Sequence, residues 1–337
     1  MTCYSPLRAV ILGSKPDGKK ILKVIPGSDF INYSDGFDYI SIPCGHCVGC
    51  RLAYSRVWAD RCIAESYYHD SSLFITLTYN DSFLPLPNRL EDGSLSPVHP
   101  LVKRDVQLFI KRLRKRFPDQ NIRYFLCGEY GPKTMRPHYH LLLFGLYLAD
   151  LKLLYTSPDY FSYFTSDTIE ELWYTERGKN ISDPHLRSAG FHIITSVNWH
   201  TCAYVARYIM KKQFGEGASV YSDLNYPKEF TLMSRKPGIG RQFYEDNKLE
   251  LYSDKAGVFL SLPEGAHKVK SNKYYDRLYD VEYPDHFAAI SDERFDRMLL
   301  HDYLKSSLTD LHYLDILKSE EVNTLDRVKA LKRGDLL

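Results

Sequence analysis

This 337-residue chain predicts an α+β protein: a central antiparallel β-sheet with flanking helices, the helices gathered on one face. Two observations carry that prediction. The periodic segments run strand, helix, hairpin, strand, helix, an order that suits an antiparallel sheet with helices packed on it. A composition that is 44% hydrophobic also supplies enough apolar side chain to bury one sizeable core with elaborations.

The elements follow in chain order. After an irregular, Pro- and Gly-containing start over residues 13–36, residues 51–69 read as a helix, with Leu52, Val57, Trp58 and Cys62 as candidates for burial. Residues 74–79 (FITLTY) alternate and are β-branched, as a strand requires. A Pro-, Gly- and Asp-rich loop leads to residues 103–116, where Val106, Phe109, Ile110 and Leu113 recur at helical spacing and basic residues fill the other faces. Residues 123–130 and 138–145 read as strands joined by the turn-prone GPKTMRP run, and so as a hairpin. Residues 146–188 have the mixed, polar character of an insertion. Residues 190–197 form a further strand candidate and 201–212 a helix. The expected division is an N-terminal Cys-containing segment and helix (1–70), a core (71–245) and a C-terminal extension (246–337) without a readable motif.

Charge is unevenly placed. Residues 103–117 hold seven Lys or Arg against one Asp, whereas residues 276–337 hold nine basic against fourteen acidic residues. A basic working surface in the middle and an acidic C-terminal region follow. The longest apolar stretches, such as 141–144, are far short of the roughly 20 residues that span a bilayer, and the N-terminus lacks a basic start followed by an apolar run, so neither membrane nor export is expected. Seven cysteines, four of them between Cys44 and Cys62, suit metal ligation or plain thiols better than a disulfide framework.

The chemistry lies in two constellations. In a strand, alternate residues face the same way, so His138 and His140 of the His138-Tyr139-His140 triplet present both imidazoles on one face. Glu129, on the preceding strand, joins them if the hairpin register sets it opposite either histidine. A slip of one residue sends it to the other face. Two imidazoles and a carboxylate suit a catalytic divalent ion such as Mn²⁺ or Mg²⁺. An isolated HxH is more often a pair of polar strand residues, and its context decides between the readings.

That context is Tyr204 and Tyr208, four apart and so on one helix face, followed by Lys211 and Lys212. A phenol with a pKa of about 10 is a weak nucleophile, but a metal polarising a scissile phosphate, with lysine favouring phenolate, makes attack feasible. The product is a phosphotyrosine ester, and exchanging one ester for another lets rejoining proceed without ATP. Two tyrosines permit a relay, one cutting first and the other cutting the regenerated origin. In a chain with 27 tyrosines a YxxxY pair can also simply pack.

In these residues the chain resembles the HUH endonucleases, and within them the replication initiation proteins of small single-stranded DNA phages of the gokushovirus branch of the Microviridae. The resemblance rests on PCGHCVGCR (43–51), FITLTY (74–79), CGEYG (127–131), RPHYH (136–140), YVARYIMKK (204–212) and SRKPGIG (234–240). It implies a sheet with the metal site on its exposed face, metal ligands at His138 and His140, nucleophiles at Tyr204 and Tyr208, and, from its strand position, Glu129 as third ligand. It further implies rolling-circle initiation by nicking and joining at the origin of single-stranded or supercoiled circular phage DNA, in the cytoplasm of a bacterial host. No GxxxxGK[ST] loop occurs, so unwinding and synthesis are expected from host helicase and polymerase. A plasmid-type initiator, relaxase or transposase shares the chemistry, and a non-catalytic DNA-binding protein is the rival from another class; intact His138, His140 and Tyr204 argue against the last.

Cys44, Cys47 and Cys50, with Cys62 or His46 as fourth ligand, have the composition of a structural zinc site, buried free thiols being the other reading. Arg136, Arg207, Arg235, Lys236 and Arg241 are candidate DNA contacts. The basic helix 103–116 either steers the DNA backbone or is a solvated face. The run 234–240 is either a tight glycine loop whose backbone approaches DNA or only a turn.

Overall fold

The computed structural model describes residues 3–14, 20–25, 39–158, 160–207, 215–254, 257–262 and 265–330. The chain divides into two compact units, one of residues 1–54 with 272–337 and the other of residues 55–271.

In the first unit, β1 (Leu7–Ser14), β2 (Lys20–Ile25) and β3 (Tyr39–Ile42) form an antiparallel sheet in the order β2-β1-β3. This corrects the expectation of an irregular start. The β-branched and leucine-rich runs of β1 and β2 pair through a register shift at Ile11/Gly13, and that bulge hides the strand period from a reading of residues 13–36. Helix α1 (Val48–Ser66) begins in this unit and ends in the next.

The second unit is built on a seven-stranded sheet. Its strands are β4 (Ser72–Thr78), β5 (Arg123–Tyr130), β6 (Pro137–Phe144), β7 (Leu151–Thr156), β8 (Ser162–Ser166), β9 (His192–Ser196) and β10 (Phe230–Met233). They lie in the order β10-β5-β6-β4-β9-β8-β7, and every paired neighbour is antiparallel. Residues 146–188 thus contribute a hairpin, β7–β8, that extends the sheet, followed by α3 (Asp167–Leu172) and α4 (Pro184–Arg187).

Helices cover both faces of this sheet, not one. On one face, α2 (Lys103–Arg116) buries Val106, Phe109, Ile110 and Leu113 against Leu73, Ile75, Leu77, Leu126, Tyr139, Leu141 and Leu143. Two polar links fix it there: Tyr79 Oη donates to Asp105 Oδ2 at 2.8 Å, and Val102 N donates to Tyr139 Oη at 2.8 Å. On the other face, Trp58 of α1 stacks on Phe125 at 4.8 Å, and α5 (Trp199–Arg207) packs on β5 and β6. Two apolar faces each demand cover, because the central strands are hydrophobic at odd and even positions alike.

The second unit is completed by α6 (Val220–Asp223), α7 (Arg241–Leu251) and the hairpin of β11 (Val258–Leu262) and β12 (Gly265–Val269). The first closes with α8 (Lys273–Glu282), α9 (Pro284–Ser307) and α10 (Tyr313–Ala330). Among the described residues no helix is long and apolar enough to cross a membrane.

Candidate active site

The register of the β5–β6 hairpin sets Glu129 opposite His138 and Cys127 opposite His140. Directly opposed residues share a face, so Glu129, His138 and His140 all point to the α5 side, while Tyr139 points to the α2 side. His140 Nε2 lies 2.9 Å from Glu129 Oε1, with the imidazole fully buried and the glutamate 3% exposed. His138 is half-buried, beside the turn that joins the strands.

Two threonines of β4 orient the rings. Thr76 Oγ1 is 2.9 Å from His140 Nδ1, and Thr78 Oγ1 is 2.8 Å from His138 Nδ1. With Nδ1 engaged in both rings, Nε2 is the ligating atom, the pattern by which outer partners fix the tautomer of a metal-bound histidine. The residues therefore fit a divalent ion: two imidazole nitrogens and a carboxylate are its ordinary donors. Two donors about 2.1 Å from one ion at a right angle stand about 3.0 Å apart, close to the observed His140–Glu129 spacing. Thr76 and Thr78 had gone unremarked in the sequence. Their signal was the TLT of β4, whose two-residue period matches that of HYH.

Helix α5 brings the tyrosine. Asn198 caps it, its Oδ1 accepting from Thr201 N at 2.8 Å while Thr201 Oγ1 accepts from Asn198 N at 2.9 Å. Val205, Ala206 and Cys202 are buried, which turns Tyr204 toward the histidines. Its ring meets His140 edge-on, centroids 5.4 Å apart, and meets Phe74 edge-on at 6.0 Å, while Phe74 and His140 stack in parallel at 5.8 Å. The site is not on an open sheet face: α5 and α1 cover that face, and access is left at half-buried His138. Tyr208, Lys211 and Lys212 lie outside the described residues.

The candidate DNA contacts separate. Arg136 pins the hairpin turn, donating through Nη1 to Tyr79 O at 2.7 Å and pairing with Asp81. Arg207 is exposed at the end of α5, and Arg241 pairs with Glu245. Arg235 and Lys236 are exposed and line a groove of about 840 Å³ with Arg114, Arg123 and Tyr124. That groove sits at the end of β5 where Arg123 faces Phe144, six residues or about 20 Å along β6 from His138.

The run 234–240 turns its backbone inward rather than toward a ligand. Ile239 O accepts from Arg61 Nη2 at 2.8 Å, Pro237 O from Arg123 Nη2 at 2.9 Å, and Gly240 N donates to Glu65 Oε2 at 2.7 Å. Glu65 also pairs with Arg123 and His69. Burial raises its pKa, but the bonds from His69, Gly240 and Arg123 outweigh it, and the net shift is downward.

The basic helix α2 lies on the face of the sheet away from the histidines. Two of its cations are committed to structure: Arg112 donates to Tyr174 O at 2.6 Å and Arg114 to Ile122 O at 2.8 Å.

Of the cysteines, Cys44, Cys47 and Cys50 come together, and their fourth companion is Cys3, with all four sulfurs within 4.8 Å of one another. Cys62 does not join them. It lies twelve residues beyond Cys50 on the same helix, a rise of about 18 Å, and is fully buried near Cys202. His46 is exposed and outside the set.

A family model for the replication-associated protein ORF2 matches residues 72–213, which take in both histidines and the tyrosine pair. The chain is 32% identical to the replication-associated protein ORF2 of Spiroplasma virus 4, over 99% of this chain and 98% of that protein. It is 31% identical to the replication-associated protein VP4 of Bdellovibrio phage phiMH2K, over 73% of this chain and 69% of that one. With the replication-associated protein ORF4 of Chlamydia phage 1 the identity is 27%, over 72% and 57%. No solved structure matches.

Proposed function

The chain belongs to the family of phage replication-associated proteins, and on that footing we propose that it initiates rolling-circle replication by nicking and rejoining the phage DNA origin through Tyr204. The observation that carries this reading is the meeting of Tyr204 with His140 at 5.4 Å, on the face where His140 and Glu129 already touch.

His138, His140 and Glu129 hold a divalent ion such as Mg²⁺ or Mn²⁺, which when bound supplies Lewis-acid polarisation of the scissile phosphate. Thr76 and Thr78 keep the imidazoles oriented. The phenol of Tyr204 loses its proton and its oxygen attacks phosphorus. The bond to the 3′ oxygen breaks, that oxygen gains a proton, and the 5′ phosphate stays on the tyrosine. Attack by a 3′ hydroxyl reverses the exchange and closes a circle, with no change in the number of phosphoester bonds. Tyr208, one turn further along, takes the second cut of the relay. Fixed placement of nucleophile and phosphate is itself a large part of such catalysis. The DNA backbone is held by Arg235, Lys236 and Arg207, and the unwinding and synthesis fall to host helicase and polymerase.

The test is a single-stranded oligonucleotide series tiling the cognate phage genome, incubated with Mn²⁺ and resolved on a denaturing gel. Wild type is expected to give a covalent protein–DNA adduct at one site. His140→Ala should abolish it, and the double variant Tyr204→Phe, Tyr208→Phe should leave none. Absence of an adduct with wild type across the full tiling, or its persistence in the double variant, overturns the reading.

A further inference from the structure

The antiparallel pairing of β1 with β3 sets Leu7 opposite Ile42. The residues just outside that ladder, Cys3 ahead of β1 and Cys44 behind β3, are thereby brought side by side, and Cys44 N donates to Cys3 Sγ at 3.3 Å. From Cys44 the chain makes a tight turn through Gly45, whose φ of +80° suits glycine. It then reaches Cys47 and enters α1, whose first turn carries Cys50. Four sulfurs from two distant stretches of sequence converge in this way.

We propose that Cys3, Cys44, Cys47 and Cys50 form a tetrathiolate site for a structural zinc ion.

The spacing is that of a tetrahedron around one metal. Zinc–sulfur bonds of about 2.3 Å place neighbouring sulfurs about 3.8 Å apart. Here Cys44 and Cys50 stand 4.0 Å apart and Cys47 and Cys3 stand 3.9 Å apart. A disulfide needs about 2.05 Å, so these are not bonded pairs, and all four are free cysteines.

The backbone is arranged for thiolates rather than thiols. Besides Cys44 N, the N–H groups of His46 and Cys47 donate to Cys44 Sγ at 3.4 and 3.3 Å, and those of Tyr4 and Cys50 donate to Cys47 Sγ at 3.3 and 3.4 Å. A neutral thiol is a weak acceptor, whereas donors gathered on sulfur favour its ionised form. The start of α1 adds the positive end of its dipole. Four mutually repelling thiolates at these distances call for a dication, and each thiol gives up its proton as the metal binds.

Tetrahedral sulfur coordination fits zinc or iron. A shell filled by four protein ligands leaves no open position, which makes the site structural and favours the redox-inert ion. Its effect is to tie both ends of the β1–β2–β3 sheet to the first turn of α1. The site stands apart from Tyr204 and the histidines in sequence and chemistry, and does not depend on the nicking proposal.

The test uses the full chain, expressed in zinc-containing medium and purified without chelator or a metal-affinity step, with metals quantified by plasma mass spectrometry. About one zinc per chain is expected. His138→Ala with His140→Ala should retain it, which separates this ion from any held at the histidines, and Cys62→Ser should retain it also. Cys3→Ser and Cys47→Ser should lower it at least tenfold. Because those variants can fail to fold, wild type grown with cobalt is examined in parallel, and the intense visible bands and sulfur-to-metal charge transfer of tetrahedral tetrathiolate cobalt are expected. No zinc in the wild type, iron in its place, zinc lost from Cys62→Ser but kept in Cys3→Ser, or a cobalt spectrum without thiolate charge transfer would overturn the assignment.

Discussion

Replacing Thr76 with valine keeps the volume and the β-branch of a central strand residue while removing the hydroxyl 2.9 Å from His140 Nδ1. Because His140 is fully buried, water cannot take over that bond. A buried polar group deprived of a partner costs about 1–3 kcal/mol, and at about 1.36 kcal/mol per decade this lowers the population of the ligating ring orientation by about 5- to 160-fold. Thr78→Val is the internal comparison. It removes the bond to His138 Nδ1 at 2.8 Å, but His138 is half-buried and can be rehydrated, so the loss is the ordinary net value of about 0.5–1.5 kcal/mol, or about 2- to 13-fold. Mn²⁺ affinity by titration calorimetry, together with the Mn²⁺ concentration giving half-maximal adduct formation, reports both. A Thr76→Val affinity within twofold of wild type, or a larger effect at Thr78 than at Thr76, would refute the claim that the strand threonines hold the imidazoles for a metal.

Three further predictions concern the scaffold around the site. Glu65→Gln leaves Arg123, whose side chain is only 10% exposed, without its carboxylate, and urea titration should show a loss of about 3 kcal/mol; a change below about 1 kcal/mol would contradict the clamp. The same carboxylate carries a pH signature. Its folded pKa is depressed, so its contribution is fully present above the unfolded value of about 4.3 and is lost as pH falls from there through the folded value; Glu65→Gln should flatten that acid limb. Tyr139→Phe removes the phenol that accepts from Val102 N and meets Tyr79 Oη at 2.9 Å, for a cost of about 1–3 kcal/mol, yet adduct formation should persist because Tyr139 faces α2; loss of nicking in a folded Tyr139→Phe protein would contradict that assignment. Gly190→Ala sets a Cβ 2.3 Å from Asn80 N and Thr78 O at a φ of +150°, contacts that backbone cannot relieve, so destabilisation above about 4 kcal/mol and insoluble expression are expected; a soluble variant with wild-type melting temperature would contradict the close approach.

Local periodicity made much of the core legible. The α2 boundaries match the helical pattern over residues 103–116, and the strands of the HYH hairpin fall within a residue of their alternating runs. The histidine pair needed only the two-residue period of a strand, and Glu129 only an even register. What the pattern could not supply is which side of the sheet a given helix covers. The charge count of residues 103–117 pointed to a working surface, yet α2 faces away from the histidines and ties Arg112 and Arg114 to backbone carbonyls. Residues 234–240 read as an open glycine loop, whereas their carbonyls and the Gly240 amide are taken up by Arg61, Arg123 and Glu65.

The sequence by itself determined the antiparallel α+β class, the shared face of His138 and His140, and the family to which the chain belongs, because these depend on periods and motifs contained within short stretches. Only the tertiary structure decided that Tyr204 meets His140, that Thr76 and Thr78 hold the rings, that both faces of the sheet are covered, and that Cys3 rather than Cys62 completes the cysteine cluster. Each of these depends on contacts between residues about 40 or more positions apart, or on the rise of one helix, which sets Cys62 about 18 Å beyond Cys50. Strand pairing fixes such distances, and spacing along the chain does not.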